Sequence, residues 1–332
     1  MKKIKIAQIG TSGNSHGSAI FKNLTEQSDI FEIVGYCLPE NERVLFPKRA
    51  AYFDGYREMT VEEILNDPEI EAVTVETEEI YLTKYALMVA KAGKHLHMEK
   101  PGSPDLAAFE ELIKTVKEKN IAFSMGYMYR FNPVFIESVE RIRRGELGEI
   151  FSVEAHMDCF YADHKREWLS TFPGGMMYFL GCHIIDLIYG ILGEPEEVIP
   201  LNCSTGIHGV EATDFGMVAY KYKNGVSFAK TAAVERGGYM RRQLVICGEK
   251  ATIELKPLEV EDGELRYTVY SESDADLIWR EEWKTARTES YNRYSAMMQN
   301  FARAVRGEKN PYTPDYELGL YKLLLKSCGK EV

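Results

Sequence analysis

The strongest constraint on the fold is a regular alternation of strand and helix signals over the first 125 or so residues. Strands are predicted over Lys3–Ile9, Phe31–Leu38, Ala72–Val75, His95–Met98 and Ile121–Met125. Helices are predicted over Ser18–Gln27, Val61–Asn66, Leu82–Ala92 and Asp105–Lys119. Strands that alternate with helices form βαβ units, so this part of the chain predicts an α/β domain with a parallel sheet.

The first predicted strand runs into a turn whose glycines have the spacing G-x-x-G-x-x-x-G. A dinucleotide site needs a backbone that approaches the pyrophosphate closely, and then a helix whose first amides face the anion. Gly10, Ser12, Gly13 and Asn14 are therefore candidate cofactor-binding residues. The alternative is a tight strand–helix turn with an Asn or Ser cap, because the spacing differs from G-x-G-x-x-G.

The candidate ribose ligand follows the second predicted strand. Dinucleotide sites usually place an acidic residue at the end of that strand, and here Glu40 comes two residues after Leu38. Arg43 is a candidate partner for a 2′-phosphate. The cofactor is therefore NAD or NADP, and the sequence leaves both open.

A change of pattern near residue 126 marks the start of a second domain. Its predicted helices are Asn132–Arg144, Met176–Leu192, Ser290–Arg306 and Glu317–Ser327. Its predicted strands are Glu149–Met157, Asp214–Lys223, Val226–Val234, Gln243–Cys247, Ala251–Leu255 and Leu265–Tyr270. Strands that follow one another without helices predict an α+β domain with a large, mostly antiparallel open sheet.

Composition disfavours several classes of function. The chain of 332 residues has 40 Lys and Arg against 51 Asp and Glu, which gives a formal net charge of −11. This excess of acid argues against nucleic acids and anionic membranes as partners. The six cysteines are scattered, without zinc-type spacing. We therefore expect a cytoplasmic protein without a metal site.

The most specific segment is Ala92–Pro101, in which a predicted strand ends in Glu99-Lys100-Pro101. Together with the glycine turn, it resembles the Gfo/Idh/MocA oxidoreductases, the family of glucose–fructose oxidoreductase and inositol dehydrogenase. The resemblance continues through Gly126–Pro133, Gly145–Ile150 and Gly174–Asp186, in the family's order.

The resemblance implies a domain organisation. Residues 1–125 form a Rossmann domain with a doubly wound parallel sheet that binds NAD or NADP. Residues 126–310 form a domain for substrate binding and oligomerisation, and the substrate lies between the two domains. Residues 311–332 form a C-terminal helix that packs back on the Rossmann domain. The open sheet joins subunits into a homodimer or homotetramer.

The resemblance also assigns roles to the residues near the cofactor. Lys100 lies beside the nicotinamide and binds the reacting oxygen, where a cation stabilises the developing alkoxide. Glu99 positions the cofactor, and a cis peptide precedes Pro101. Thr77 begins the segment that is Thr-Pro-Asn in the family, and it is therefore a cofactor-binding residue.

Another pair of residues occupies the family's H-x-x-D motif. His183 and Asp186 share one helix face at positions i and i+3. His183 is the candidate general base, because its unperturbed pKa of about 6.5 suits proton transfer at neutral pH. Asp186 orients that imidazole or binds the substrate. Arg130, at the entry to the second domain, is another candidate substrate-binding residue.

The sequence departs from the family at several positions. Many members carry an aspartate four residues before the histidine, and here that residue is Phe179. The residues after Thr77 are Glu78 and Glu79, which would repel a nearby phosphate unless they face away. The reaction is therefore less firmly implied than the fold.

The loop Cys159–Pro173 is expected to cover the substrate. Within it, Tyr161 and Trp168 offer hydroxyl-binding and ring-stacking groups suited to a sugar or cyclitol. Three arginines around Gly237 and Gly238 fit either an acidic substrate or a subunit contact: Arg236, Arg241 and Arg242.

Three functions follow from these patterns. The first is an NAD(P)-dependent oxidoreductase that transfers a hydride between nicotinamide and a sugar, cyclitol or related polyol derivative. The second is a lyase or glycosidase that holds NAD tightly and uses transient oxidation. The third is a non-catalytic binding or regulatory protein. This function is considered because Phe179 stands where many family members carry an aspartate.

Overall fold

A computed structural model describes residues 2–275 and 282–332. Contacts divide the chain into two compact units. The first unit comprises Met1–Met128 and Tyr294–Leu318, and the second comprises Tyr129–Arg293 and Gly319–Val332. Trp279, whose spacing from Trp283 predicts a packed pair, lies outside the described residues.

The first unit is built on a five-stranded parallel sheet of order β2-β1-β3-β4-β5. Its strands are β1 Ile4–Ile9, β2 Phe31–Cys37, β3 Ala72–Val75, β4 His95–Met98 and β5 Phe123–Met125. Its helices include α1 Gly17–Glu26, α2 Glu42–Leu45, α3 Pro47–Ala50, α4 Val61–Asn66, α5 Leu82–Lys91 and α6 Leu106–Lys119. The Rossmann-type parallel sheet predicted from the sequence is confirmed.

The strand order places a binding crevice at the carboxyl ends of β1 and β3. The chain leaves β1 for β2 on one side and then returns to form β3 on the other side of β1. Ile9, the last residue of β1, pairs with Val75, the last residue of β3. In open α/β sheets, ligands bind outside the carboxyl ends of strands at such a reversal. The segments that begin at Gly10 and Glu76 therefore border the expected cofactor position.

The second unit contains an eight-stranded sheet among its described residues, of order β15-β14-β11-β10-β6-β9-β8-β7. Its pairs are antiparallel except for β6 with β9. The strands are β6 Ile150–His156, β7 Glu197–Pro200, β8 Phe215–Tyr222, β9 Gly225–Ala232, β10 Gln243–Gly248, β11 Thr252–Leu255, β14 Val269–Ser273 and β15 Lys284–Arg287, and β12 Val260–Asp262 pairs separately with β13 Leu265–Tyr267. The helices of this part are α7 Pro133–Arg143, α8 Asp163–Trp168 and α9 Cys182–Leu192. The predicted large, mostly antiparallel sheet is confirmed.

Two elements of the second unit differ from the prediction. The predicted helix Met176–Leu192 begins as a π-helical turn, Met177–Gly181, and only then continues as α9. The predicted strand Leu265–Tyr270 is split at Thr268, whose buried hydroxyl donates a hydrogen bond to the carbonyl of Leu258. This hydroxyl contact joins residues ten positions apart and is not visible in a hydrophobic pattern.

The C-terminal helices group differently from the expected domains. Helix α10, Ser295–Val305, was expected in the second domain but belongs to the first unit, where Ser295 accepts a hydrogen bond from Asn23 and Phe301 packs on His97. Helix α11, Pro314–Ser327, begins in the first unit and from Gly319 onward belongs to the second, and its packing on the Rossmann domain stays a prediction. There, Ser327 bonds to the hydroxyl of Tyr220. The buried faces of these helices did not reveal their partners from sequence alone.

Among residues 2–275 and 282–332, no helix combines the length and apolar character needed to cross a membrane.

Candidate active site

The first part of the site is a close approach between Gly10 and Thr77. Gly10 has a φ of +90°, and a Cβ atom there would lie 2.4 Å from Cγ2 of Thr77. Only glycine tolerates both the left-handed backbone and the contact. Two residues predicted to bind cofactor are therefore neighbours at the reversal of strand order.

The rest of the glycine turn is folded by its own hydroxyl groups. The Ser12 hydroxyl accepts hydrogen bonds from the amides of Asn14 and Ser15 at 3.0 and 2.8 Å. Asn14 donates from its side chain to Glu78 at 3.2 Å, and a Cβ at Gly13 would lie 3.3 Å from Phe46. Ser12 therefore shapes the turn, and its role as a cofactor ligand remains a prediction.

Helix α1 begins directly after this turn and suits an anion. Its first turn carries no acidic residue, but the amides of His16 and Gly17 donate to the Glu99 carboxylate at 3.4 Å and to the Ser15 hydroxyl at 3.2 Å. Amides at such a helix end bind phosphate groups. Together with the missing Cβ of Gly10, this helix N-terminus is the candidate position for the pyrophosphate of NAD or NADP, which would share these amides with Glu99 and Ser15.

The predicted ribose ligand Glu40 is bound to residues of α5. It accepts hydrogen bonds from Lys84 and from the Tyr85 hydroxyl, both at 2.7 Å, and the Lys84 contact lowers the pKa of Glu40. Arg43, the candidate 2′-phosphate ligand, pairs with Glu58 at 2.9 Å. Either residue would have to exchange these partners to bind the adenosine ribose.

Sequence reasoning missed Glu42, a buried acid beside the glycine turn. Glu42 is 1% exposed, and its carboxyl group accepts a hydrogen bond from the Thr11 amide at 3.1 Å. Burial raises the pKa of Glu42 to about 9, so this side chain is neutral at pH 7. Asn41, with a left-handed φ of 58°, precedes it. No periodic pattern in the sequence indicates the left-handed turn at Asn41 or the burial of Glu42.

Lys100 and Glu99 lie at the carboxyl end of β4, and the Lys100–Pro101 peptide is cis, as expected. The Glu99 carboxylate is 2.9 Å from Nδ1 of His16 and 3.7 Å from Nζ of Lys100. Burial opposes ionisation of Glu99, but His16 and Lys100 outweigh it and lower the pKa of Glu99 to about 2. A buried lysine, 2% exposed, is thus linked through Glu99 to the residue that ends the glycine turn.

Two more buried acids lie on the segment after β3. Burial, reinforced by neighbouring Glu99, raises the pKa of Glu76 well above its ordinary value. Burial also raises the pKa of Glu79 to about 7, although Lys100 acts in the opposite direction. The sequence predicted that Glu78 and Glu79 would repel a nearby phosphate unless they face away, and the burial and raised pKa of Glu79 reduce the repulsion from that residue. The pattern of charges alone did not reveal this burial.

In the second unit, the two candidates Arg130 and Asp186 bind each other. The Arg130 Nε atom donates to both carboxylate oxygens of Asp186 at 2.9 and 3.0 Å, and an Nη2–Oδ1 distance of 2.7 Å completes the pair. The two side chains are 3% and 1% exposed. Asp186 is therefore neutralised by Arg130, so binding of substrate by either residue remains a prediction.

His183, the candidate base, lies one turn before Asp186 in α9 and is 1% exposed. The ring of Tyr129 meets it edge-on, with a centroid separation of 5.2 Å. The Tyr129 hydroxyl donates to Glu259 at 2.6 Å, and Glu259 is also paired with Arg293 at 2.5 Å. The hydrogen bond to Glu259 therefore holds the Tyr129 ring, which packs against the His183 imidazole.

Phe179 lies in a cluster of aromatic rings that includes the predicted substrate residues. The rings of Trp168 and Phe179 are perpendicular, with centroids 4.9 Å apart, and the Tyr161 ring lies 6.5 Å from that of Phe179. Phe172 is parallel to Phe179 within 9°. The position at which the family resemblance predicts an aspartate is thus built into an apolar group of rings.

Comparison with known proteins decides the family. Residues 4–127 match the family described as "Oxidoreductase family, NAD-binding Rossmann fold", and residues 135–254 match the family's "GFO/IDH/MocA C-terminal domain". The chain belongs to the Gfo/Idh/MocA oxidoreductase family. The Gfo/Idh/MocA match covers both Lys100 and His183, and it gives the first unit the family's NAD-binding fold, with NAD or NADP as cofactor.

Individual Gfo/Idh/MocA relatives match over parts of their length. Uncharacterized oxidoreductase YhhX of Escherichia coli is 35% identical over 42% of this chain and 40% of its own length. The scyllo-inositol 2-dehydrogenase (NADP(+)) IolW of Bacillus subtilis is 26% identical over 59% of this chain and 55% of its own. The chain thus spans about half the length of these relatives or less.

A solved structure of another protein shares the fold of this chain. Levoglucosan dehydrogenase in complex with NADH aligns with a TM-score of 0.79 at 17% identity, over 99% of this chain and 97% of that one. At this identity the likeness concerns the fold.

Proposed function

We propose that this chain is an NAD(P)-dependent oxidoreductase whose substrate is a sugar, cyclitol or related polyol derivative. The observation that carries the proposal is the buried Lys100 ammonium group, linked through Glu99 to His16 beside the glycine turn. Burying a charge costs free energy unless a counter-charge and hydrogen bonds offset it, and the Glu99 carboxylate 3.7 Å away provides a counter-charge for Lys100. A cation at this edge of the sheet is suited to an oxygen that becomes negative during reaction.

Different residues of the chain carry out different steps of the proposed reaction. Lys100 donates a hydrogen bond to the reacting oxygen and stabilises the alkoxide. His183 accepts the hydroxyl proton during oxidation and returns it during reduction. When bound, the nicotinamide takes up or supplies the hydride. Gly10 and the first amides of α1 bind the pyrophosphate, Thr77 borders it, and Glu99 holds Lys100 in place.

The substrate class rests on chemistry and on relatives. Tyr161 and Trp168 provide a hydroxyl group and an aromatic face suited to a sugar ring, and IolW is a cyclitol dehydrogenase by name. The test is calorimetric titration with NAD and NADP, followed by a panel of polyols and sugars assayed for reduced cofactor. Binding of one cofactor and turnover of at least one polyol support the proposal. No binding of either cofactor at millimolar concentration contradicts it.

A second candidate function is favoured by Phe179, whose ring can accept neither a proton nor a hydrogen bond. A lyase or glycosidase that oxidises its substrate transiently would retain NAD and regenerate it within each cycle. Product formation without net accumulation of reduced cofactor would favour this alternative over the dehydrogenase.

Assembly and location are further parts of the proposal. The described strands β6, β7 and β9 expose large apolar side chains, among them Phe151, Ile199 and Val226. Such a surface suits a contact between copies of this sheet, so we expect a homodimer or homotetramer. Sedimentation velocity tests this directly, since a monomer at micromolar concentration contradicts it. The scattered cysteines suit a reducing, cytoplasmic setting.

A further inference from the structure

A polar contact in the first unit joins two segments that border the expected cofactor position. The Oε1 atom of Glu40 accepts hydrogen bonds from the Lys84 ammonium group and from the Tyr85 hydroxyl group, both at 2.7 Å. Glu40 follows β2, whereas Lys84 and Tyr85 lie near the start of α5, which follows β3. The contact therefore links the two segments that leave the sheet on either side of β1.

The backbone at Glu40 has an unusual conformation that these contacts stabilise. Glu40 and Asn41 are consecutive residues with left-handed φ angles of 57° and 58°. For residues other than glycine this conformation costs free energy, and it persists where surrounding contacts hold it, often at ligand-binding sites. Lys84 and Tyr85 provide such contacts, so the turn presents the Glu40 carboxylate in a defined position.

This position is where the two forms of the cofactor differ. In a dinucleotide-binding fold, the adenosine ribose is expected beside the end of β2, where an acidic residue accepts a hydrogen bond from the 2′-hydroxyl of NAD. NADP carries a phosphate on that oxygen. The hydrogen bonds from Lys84 and Tyr85 lower the pKa of Glu40, so this carboxylate is ionised at neutral pH. An ionised carboxylate binds a hydroxyl group but repels a phosphate.

Binding of NAD requires only a small exchange of partners at Glu40. Tyr85 is a neutral donor, so a ribose hydroxyl can replace it at the carboxylate while Lys84 stays paired. A 2′-phosphate would instead compete with Glu40 for the Lys84 ammonium group and would leave two anions beside one cation. The pair therefore favours the cofactor without the phosphate.

Arg43, the candidate ligand for a 2′-phosphate, already contacts two acids. Its guanidinium group lies 2.9 Å from the carboxylate of Glu58 and 3.6 Å from that of Asp54. Together with the Glu40–Lys84 pair, these contacts join three carboxylates and two bases, so the set carries one excess negative charge. This charge disfavours the further negative charge of a 2′-phosphate.

We propose that the Glu40–Lys84 pair selects NAD over NADP. Glu40 binds the adenosine ribose, and Lys84 is the residue that determines specificity through it. While paired, Lys84 holds the carboxylate in place, and once released it would itself bind a 2′-phosphate. This inference rests on the proposed function and narrows its cofactor to NAD.

The test compares calorimetric binding of NAD and NADP to the full chain, in the wild type, in Glu40→Gln and in the double variant Glu40→Gln with Lys84→Met. The wild type should bind NAD at least about tenfold more tightly than NADP. Glu40→Gln should reduce this ratio at least about tenfold, because the carboxylate is lost and the Lys84 ammonium group is released. Adding Lys84→Met to Glu40→Gln should weaken NADP binding at least about fivefold and leave NAD binding within about twofold.

The matched control is Lys91→Met. Lys91 lies on the same helix as Lys84, both side chains are 56% exposed, and the Lys91 nitrogen is likewise 2.7 Å from a carboxylate, that of Glu111. This variant should keep the wild-type preference for NAD, and loss of the preference in it would contradict a specific role for Lys84.

Three results would overturn the inference. They are equal or tighter binding of NADP by the wild type, a preference for NAD that survives Glu40→Gln, and NADP binding that Lys84→Met leaves unchanged in the double variant. Failure of the proposed function is distinguishable, because binding is measured without turnover. A chain that selects NAD but oxidises no polyol retains this inference, whereas a chain that binds neither cofactor at millimolar concentration loses both.

Discussion

In the first unit, the Glu99 carboxylate lies 2.9 Å from Nδ1 of His16, so the residue before Lys100 contacts the residue that ends the glycine turn. His16 precedes α1, and Glu99 follows β4. One contact between the His16 imidazole and the buried Glu99 carboxylate thus joins the pyrophosphate end of the expected cofactor position to its reactive end. Glu99 thus contacts both His16, beside the glycine turn, and Lys100, the candidate for the reactive end.

Replacing Glu99 should weaken both the fold and cofactor binding. Glu99→Gln removes the charge that His16 and Lys100 face, and we expect a loss of about 1–3 kcal/mol in unfolding free energy at pH 7. Because the folded pKa of Glu99 is lowered to about 2, its stabilisation is present above about pH 4.5 and is lost as the pH falls toward 2. Urea unfolding of both proteins between pH 3 and 7 should therefore show a difference that shrinks with acid. A difference that stays constant would contradict this assignment.

Glu42 should have the opposite dependence on pH. Its folded pKa, raised to about 9, means that the folded protein keeps a proton that the unfolded chain releases near pH 4.5. Stability is therefore fully present below about pH 4.5 and declines as the pH rises toward 9. Glu42→Gln keeps the acceptor for the Thr11 amide but cannot ionise. We expect the variant to match the wild type at pH 5 and to exceed it in unfolding free energy at pH 9. Parallel curves would show that Glu42 does not titrate in this range.

Gly10 and Gly55 form a matched pair for the glycine turn. Both have a φ of +90°, but only at Gly10 would a Cβ collide with Thr77, since nothing lies within 4 Å of a Cβ at Gly55. Gly55→Ala should cost about 1–2 kcal/mol from backbone strain alone. Gly10→Ala should cost more and should also weaken NAD or NADP binding by at least about tenfold. Calorimetry and thermal unfolding of the two variants measure this difference, and equal effects would remove the special role of Gly10.

The buried pair Arg130–Asp186 should couple strongly. Asp186→Asn leaves the Arg130 guanidinium buried without its anion, and a loss of about 3–5 kcal/mol in unfolding free energy is expected. The exposed pair Lys117–Asp315, with an N–O distance of 2.8 Å, is the control and should couple by no more than about 1 kcal/mol. Double-mutant cycles with Arg130→Met and Lys117→Met measure both couplings. Similar values for the two pairs would contradict the role of burial.

Much of the first unit could be predicted because its signals are local. The strands Ala72–Val75 and His95–Met98 have the predicted bounds, and Thr60 forms the capping box that begins α4. The motif Glu99-Lys100-Pro101 gave the family, which the domain matches confirm. These features depend on short spacings that the chain shows directly.

The features that could not be predicted depend on contacts between distant segments. The pairing of Asp186 with Arg130 joins residues 56 positions apart, and Glu40 is held by a helix 45 positions away. Glu42, Glu76 and Glu79 look like surface acids in the sequence, and only the fold buries them.

In the proposed function, Lys100 acts at the reacting oxygen of an NAD(P)-dependent oxidoreductase. Lys100→Met is compared with Lys91→Met, whose exposed side chain pairs only with the exposed Glu111 among the described ion pairs. The measurement is turnover of the best polyol or sugar, with calorimetric binding of the cofactor to the same proteins. We predict that Lys100→Met lowers turnover by about 10²–10³-fold while cofactor binding changes by less than about tenfold, and that Lys91→Met behaves as wild type. Near-normal turnover of Lys100→Met would contradict the account.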